Sequence, residues 1–321
     1  MKRSIALIGM FCAALAVSGL APAQAAYPEK PITIIVAYGA GGGTDVGARL
    51  AVPFLEKYMP EGTKFVVVNK PGAGGEVGGT AIATAEPDGY TIGFFNLPNM
   101  MMKPHERKTH YTVDSYQPIA NMVYDIATLA TLPNSKYKTL ADVVAEAKKR
   151  PGEITVSSAG TGSNTHLDVI AFENAAGIDL NHVAFDGGAQ SRNALLGGHT
   201  ELFATALGDS ARFHEAGEIR VLGVMSAERS ELLPEVPTYK EQGYDVRGGS
   251  ARGLVGPKGM PMDAVKMIAE AVKKANNDPE MIQKAKDIGL PLSYAGTEEY
   301  TKMMHDYNAE IAKIWANTPW K

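Results

Sequence analysis

"IIVAYGAGGGTDVGARL" (Ile34–Leu50) decides how the chain is read. A β-branched apolar run ends in a glycine cluster, and an amphipathic segment opens behind it with Thr44 and Asp45. Strand, glycine loop and helix start in that order suit a small anion, because backbone N–H groups and the positive end of the helix dipole converge there. The nucleotide motifs built on this plan are absent. A Walker loop needs a lysine after its last glycine to meet the terminal phosphates, but Gly43 is followed by Thr44-Asp45. A dinucleotide fingerprint needs a third glycine. Gly39-x-Gly41 meets Thr44 instead, Gly41-x-Gly43 meets Val46, Gly72-x-Gly74 meets Val77 and Gly160-x-Gly162 meets Thr165. The acid that would hold a ribose is also missing, since the second strand ends in "VVVNKPGAGG". A carboxylate fits such a loop as well as a phosphate does. Asp45, among these donors, reads as an N-cap or a loop brace ahead of a direct contact. The plainer alternative is that the glycines only permit a tight strand-to-helix turn.

Working outward, strand-like runs alternate with helical ones, which predicts an α/β fold. Strands are expected at Ile32–Ala37, Lys64–Val68, Tyr90–Phe95, Ile154–Ser157, Val183–Phe185 and Ile219–Ser226. Val46, Leu50, Phe54 and Tyr58 recur every four residues and predict a helix with one buried stripe. Helices are also expected at Leu140–Arg150, from Pro261 to about Asn276, and at Thr297–Ala316. A second glycine loop, "SSAGTGSNTH", surrounds Gly160 and Gly162 with Ser158, Thr161 and Ser163, neutral donors suited to an anion's oxygens. His166 adds a hydrogen bond or a proton there, or else simply packs on a helix face. Two lobes that offer such loops to a shared cleft account for the repeated plan.

The 321 residues are 45% apolar and carry a formal charge of −4, ample for a core and unsuited to nucleic acid. Residues 1–26 read as a cleaved secretory signal: Lys2 and Arg3, an apolar run from Ile5 to Leu20, then Ala23-Gln24-Ala25. The single cysteine, Cys12, lies inside it, so the mature chain has no thiol or disulfide chemistry. Removing Lys2 and Arg3 leaves 29 basic against 35 acidic side chains, a mature charge of −6. No metal motif and no G-x-S-x-G elbow is present, so neither a metal nor a cofactor is expected. Glu298-Glu299 reads as a solvated helix face, and Met100–Met102 as cleft lining or core filling.

The stretches "YPEKPITIIVAYGAGGGTDVGARL", "VVVNKPGAGGEVGGTAIATAEPDGYTI", "SSAGTGSNTHL", "VAFDGGAQSRNALLGGHTELF" and "AGEIRVLGVMSAERSELLPEVPTYKEQGY" occur in order from Tyr27 to the C-terminus. Together they resemble the substrate-binding proteins of tripartite tricarboxylate transporters, the Bug or TctC-type receptors. The resemblance implies a two-lobed type II periplasmic binding fold that closes on a small carboxylate, held largely by backbone amides, hydroxyls and water, and delivers it to a two-component membrane permease. It places the first-lobe loop on Tyr38 to Asp45, with Gly42, Gly43 and Asp45 matching the family's core and Gly41 as an extra glycine. It places further loops on Asn96–Asn99, on Ser158–His166, and on Asp186 and Gly187. Thr205 stands where many relatives carry an aspartate, which implies a cleft more welcoming to a polyanion. Arg252, on a stretch returning to the first lobe, pairs either with a distal carboxylate or with a surface acid at the hinge. Arg192 is expected to be solvated.

The expected organisation is residues 27–124 plus 249–321 as lobe one and 125–248 as lobe two. The expected protein is a monomeric periplasmic receptor for a di- or tricarboxylate, without stable membrane insertion. Two rivals stand beside it: an exported hydrolase using His166 with Ser158 or Ser163, and a receptor that serves a sensor kinase.

Overall fold

The computed structural model describes residues 27–317 apart from residue 186, together with residue 319. The leader read over residues 1–26 and the site candidate Asp186 lie outside the described residues.

The quoted stretch builds the first unit. β1 (Ile32–Val36) is wholly β-branched and lies between two parallel neighbours, β2 (Phe65–Asn69) and β3 (Thr91–Leu97). α1 (Gly43–Tyr58) follows β1, α2 (Glu76–Ala83) follows β2, and α3 (Asn99–Glu106) follows β3. β4 (Tyr116–Thr131) is 16 residues long and leads into α4 (Leu140–Lys149), β5 (Thr155–Ser158) and α5 (Asn164–Ala176). Then come β6 (Asn181–Ala184), α6 (Gly188–Leu196), β7 (Leu202–Ala206), α7 (Leu207–Glu215) and β8 (Arg220–Val224). The chain finishes with β9 (Gly249–Pro257), α8 (Met262–Asn276), α9 (Pro279–Asp287), β10 (Leu292–Ala295) and α10 (Thr297–Asn317).

The sheet runs β2-β1-β3-β9-β4-β7-β5-β6, and β8 and β10 also pair with β4. β4 therefore serves two neighbourhoods. Its residues up to Ile126 pair antiparallel with β9, while Ala127–Thr131 pair with β7 and β8. On the β1–β3 side, α1, α8 and α9 bury one face around Ile34, Phe54, Phe94, Val265 and Met281. α2, α3 and α10 cover the other face around Phe95, Met100, Met101, Met102 and Tyr300. On the β5–β7 side, Val143, Phe172 and Tyr239 fill one face, and Leu195, Phe203 and Leu207 the other.

The expected helices form as α4, α8 and α10, and the mixed α/β architecture is as predicted. Of the two readings of Met100–Met102 the core one holds, since all three are fully buried. One detail differs. In α1 Phe54 is buried and Leu50 and Tyr58 pack half-buried against the same core, but Val46 is 37% exposed, and Gly47, Ala48, Ala51 and Leu55 supply the rest of the apolar buried face. A four-residue spacing drifts about 40° per step around a helix, so it does not track one face. The small residues bring α1 close to the sheet instead, and a Cβ on Gly47 would stand 3.3 Å from the Phe94 ring.

Candidate functional site

The loop between β1 and α1 is held open from below by Asp45. Gly41 adopts φ +80°, a region that favours glycine, and its N–H donates to Asp45 Oδ2 at 2.8 Å. Asp45 also accepts from Arg49 Nε at 3.0 Å and Asn69 Nδ2 at 2.9 Å. Asn69 donates to the Tyr38 carbonyl as well, at 3.0 Å. Burial by itself would raise the Asp45 pKa, but the Arg49, Gly41 and Asn69 donors outweigh it and hold the carboxyl below its ordinary value. Asp45 is thus the loop brace. The N-cap position belongs to Gly42, which makes no side-chain cap bond. The first ladder bond is Val46 N–H to Gly42 O at 2.9 Å, so the amides of Gly43 and Thr44 precede the ladder at the positive helix end.

These residues border a cavity of about 480 Å³ together with Tyr38, Gly41, Gly42 and Val46. Asn96 and Asn99 reach it from the end of β3, and Ile288, Gly289 and Leu290 from the turn after α9. The other side consists of Asn164 at the start of α5 and Asp209 in the first turn of α7. Asp125 and Arg252, from the adjacent strands β4 and β9, complete the lining. Asn164 N–H donates to Asn99 Oδ1 at 2.9 Å, and a Cβ on Gly208 would stand 2.2 Å from the Gly289 carbonyl oxygen. The two sides of the cavity therefore touch twice, once backbone to side chain and once backbone to backbone.

Arg252 carries the cavity's positive charge. Its side chain is 13% exposed, its Nε is buried without a partner, and Nη1 lies 3.7 Å from Asp125 Oδ2. Its counter-ion is a buried strand residue, where sequence reading weighed a surface acid. The guanidinium lies beside the α1 N-terminus, within ordinary contact of Gly43, where a Cβ would stand 3.7 Å from Nη2. Asp125 accepts from Gly208 N–H at 3.0 Å. Burial pushes its carboxyl up to about 6, against the pull of Arg252 and Gly208 and with a push from Asp209.

The second glycine loop differs from expectation because its donors are satisfied internally. Ala159 N–H donates to Thr165 Oγ1 at 3.0 Å, Gly162 N–H to His166 Nδ1 at 3.0 Å, and Gly160 N–H to Ser158 Oγ at 3.3 Å. Ser163 Oγ caps α5 by accepting from His166 N–H at 3.3 Å. The His166 ring stacks on His182 at 3.7 Å. Burial, then the His182 ring, lowers the His166 pKa to about 4, so His166 is a neutral acceptor near pH 7 and supplies no proton. Ser158, Gly160, Thr161, Gly162, Ser163 and His166 do not border the cavity; their neighbour Asn164 does. Neither expected serine–histidine pair forms. Ser158 Oγ lies 2.6 Å from His182 Nε2 instead, and Ser158 is fully buried.

Gly187 is the N-cap of α6 and does not border the cavity, although a Cβ on the next residue, Gly188, would stand 3.9 Å from Asp209 Oδ2. Thr205 is buried in β7 opposite Thr128, whose hydroxyl donates to the Thr205 carbonyl at 3.1 Å. An argument from a missing acid at Thr205 therefore does not describe this cavity, which Asp125 and Asp209 border. Arg192 is half-buried, lying over the Phe213 ring at 4.2 Å with its Nε buried, so it is only partly solvated. Asn99 and Asn164 lie inside the loops expected on Asn96–Asn99 and Ser158–His166; Asp209 was not expected although it stands four residues after Thr205, and nothing in the local sequence marks Asp125. Among the described residues no group of three or more His, Cys, Asp or Glu could hold a metal ion. Among the described residues, too, no helix is long and apolar enough to cross a membrane.

Comparison with known proteins agrees with this architecture. The family model described as tripartite tricarboxylate transporter family receptor matches residues 56–317. A Cupriavidus necator protein, the UPF0065 protein in the gbd 5′ region, is 32% identical over 307 residues, covering 94% of this chain and 92% of that one. A TctC solute-binding protein from Polaromonas, solved without ligand, superposes with a TM-score of 0.81 at 31% identity, over 91% of this chain and all of that one (100%). An R. palustris protein solved with adipate superposes with a TM-score of 0.77 at 25% identity, over 91% and 98% of the two chains. The chain therefore belongs to the tripartite tricarboxylate transporter receptor family of periplasmic solute-binding proteins, the TctC and Bug proteins.

Proposed function

We propose that this receptor captures a small carboxylate in the cavity between β1–α1 and α5–α7, and hands it to the two-component permease of its transporter without chemical change. The observation that carries the reading is the meeting of the α1 N-terminus with Arg252 in one cavity. Helix-end amides and a guanidinium are complementary to a carboxylate, and the acid nearest the loop, Asp45, is turned into its brace. Asn96 adds an amide donor at the same end of the cavity, its Nδ2 donating to Thr44 Oγ1 at 3.4 Å. Adipate in the R. palustris relative supports a carboxylate of this size.

Lobe one is residues 27–124 plus 249–321, and lobe two is residues 125–248. β4 and β9 are the two crossings between them, and their pairing supports a hinge at that place. Donors from both sides reach a ligand together only when the lobes close, so the ligand selects the closed state. The mature chain starts after the signal near Ala25 or Ala26 and works as a monomer. The buried Ser158–His182 pair gives hydrolysis no exposed nucleophile, which favours capture over catalysis.

The test is a thermal-melting panel of mono-, di- and tricarboxylates on the mature protein, refolded to strip carried-over ligand. A rise of several degrees with one carboxylate class supports the reading, because a ligand of the native state stabilises it by mass action. A flat panel rejects it.

A further inference from the structure

We propose that a ligand carboxylate docks on Arg252 in competition with Asp125, and that its capture draws one proton from solvent onto the Asp125 carboxyl. The inference rests on the carboxylate-receptor reading above and adds a second role to the site: it counts charge.

Asp125 lies in the middle of the sheet with its side chain 7% exposed, yet it borders the cavity. One oxygen accepts from Gly208 N–H at 3.0 Å. The other lies 3.7 Å from Arg252 Nη1, beyond hydrogen-bond length, so the guanidinium remains open to a better acceptor. The charged groups around Asp125 are Arg252 on β9 and Asp209 on α7; Arg212 and Glu215 on α7, with Lys286 and Asp287 at the end of α9, border the adjoining groove. Burial raises the Asp125 carboxyl to about 6 even with Arg252 beside it.

An arriving carboxylate makes two carboxyl groups share one guanidinium in a buried space. Like charges at that range do not both ionise, and one binds a proton. The ligand keeps its charge because the Gly43 and Thr44 amides lie at its end of the cavity. Asp125 has a single backbone donor and takes the proton, which returns to solvent when the ligand leaves. Above pH 6 the affinity must then fall as protons become scarcer, by about tenfold per pH unit until the liganded pair itself titrates.

The test is calorimetric titration of the mature protein with succinate, adipate and tricarballylate near neutral pH, in two buffers of different protonation heat. The expected result is uptake of about one proton per bound probe, with affinity that declines as pH rises. Asp125→Asn is expected to bind with no proton uptake and a flat pH profile. Binding of any probe without a buffer-dependent heat overturns the inference and leaves the receptor reading intact, as does Asp125→Asn that still takes up a proton. Should Asp125→Asn fail to fold, the two-buffer comparison on the native protein decides alone. Failure of all three probes to bind rejects the carboxylate reading, and the inference falls with it.

Discussion

Two residues divide the work at the loop, and they fail differently. Asp45→Ala leaves the Gly41 amide and the Asn69 side chain without their acceptor, and is expected to destabilise the fold by about 1–3 kcal/mol. Because the folded Asp45 carboxyl titrates below its ordinary value, its contribution is complete above the unfolded carboxylate pKa. It is lost as pH falls through the folded one. Denaturant unfolding at neutral and acid pH checks both points: the variant and native proteins should converge in acid. Arg252→Ala removes a charge-assisted contact to the ligand and is expected to weaken carboxylate binding roughly 10- to 100-fold while the α1 loop keeps its shape. Titration of the variant with the best carboxylate measures it, and unchanged affinity would place the carboxylate elsewhere.

At the scale of elements, the α7 N-terminus and the turn after α9 meet backbone to backbone at Gly208 and Gly289. Neither position tolerates a Cβ: at Gly208 it would fall 2.2 Å from the Gly289 carbonyl oxygen, and at Gly289 it would fall 2.9 Å from the Gly208 carbonyl oxygen. Gly208→Ala is therefore expected to wedge the cavity open, which small-angle scattering reads as a larger radius of gyration and titration as roughly tenfold weaker binding. An unchanged radius with native affinity would show that this contact does not limit closure. The same contact shows why the sequence was only partly legible. The β1 loop was readable because strand, glycines and helix are contiguous. Asp125 and Gly208 are 83 residues apart and carry no local motif, so only the register of β4 with its neighbours brings them together. The second glycine loop looked like the first on paper. Its hydroxyls and amides bond to one another and to His166, an outcome that composition cannot distinguish from a donor-rich mouth.

For the whole molecule, two buried groups set opposite slopes of stability with pH. His166 binds its proton in the fold only near pH 4, below its ordinary 6.5. Between these values the unfolded chain holds more protons, so stability is complete above 6.5 and declines as pH falls through the window. Asp168 on α5 accepts from Gly249 N–H at 3.1 Å, and its other oxygen is buried without a partner. Burial raises its pKa from 3.8 to about 8, with Glu310 adding to the shift against the Gly249 donor. There the folded chain holds more protons, so stability is complete below 3.8 and declines as pH rises towards 8. Melting temperature against pH should show His166→Gln flattening the acid side and Asp168→Asn the alkaline side. Native-like slopes in either variant would remove that group from the account.

The most direct measurement is a crystal structure of the mature protein with the carboxylate that raises its melting temperature most. The carboxylate is expected between the Gly43 and Thr44 amides and the Arg252 guanidinium, with the cavity closed around it. A ligand bound against the Ser158–Ser163 loop instead, with Arg252 still facing Asp125, would contradict this.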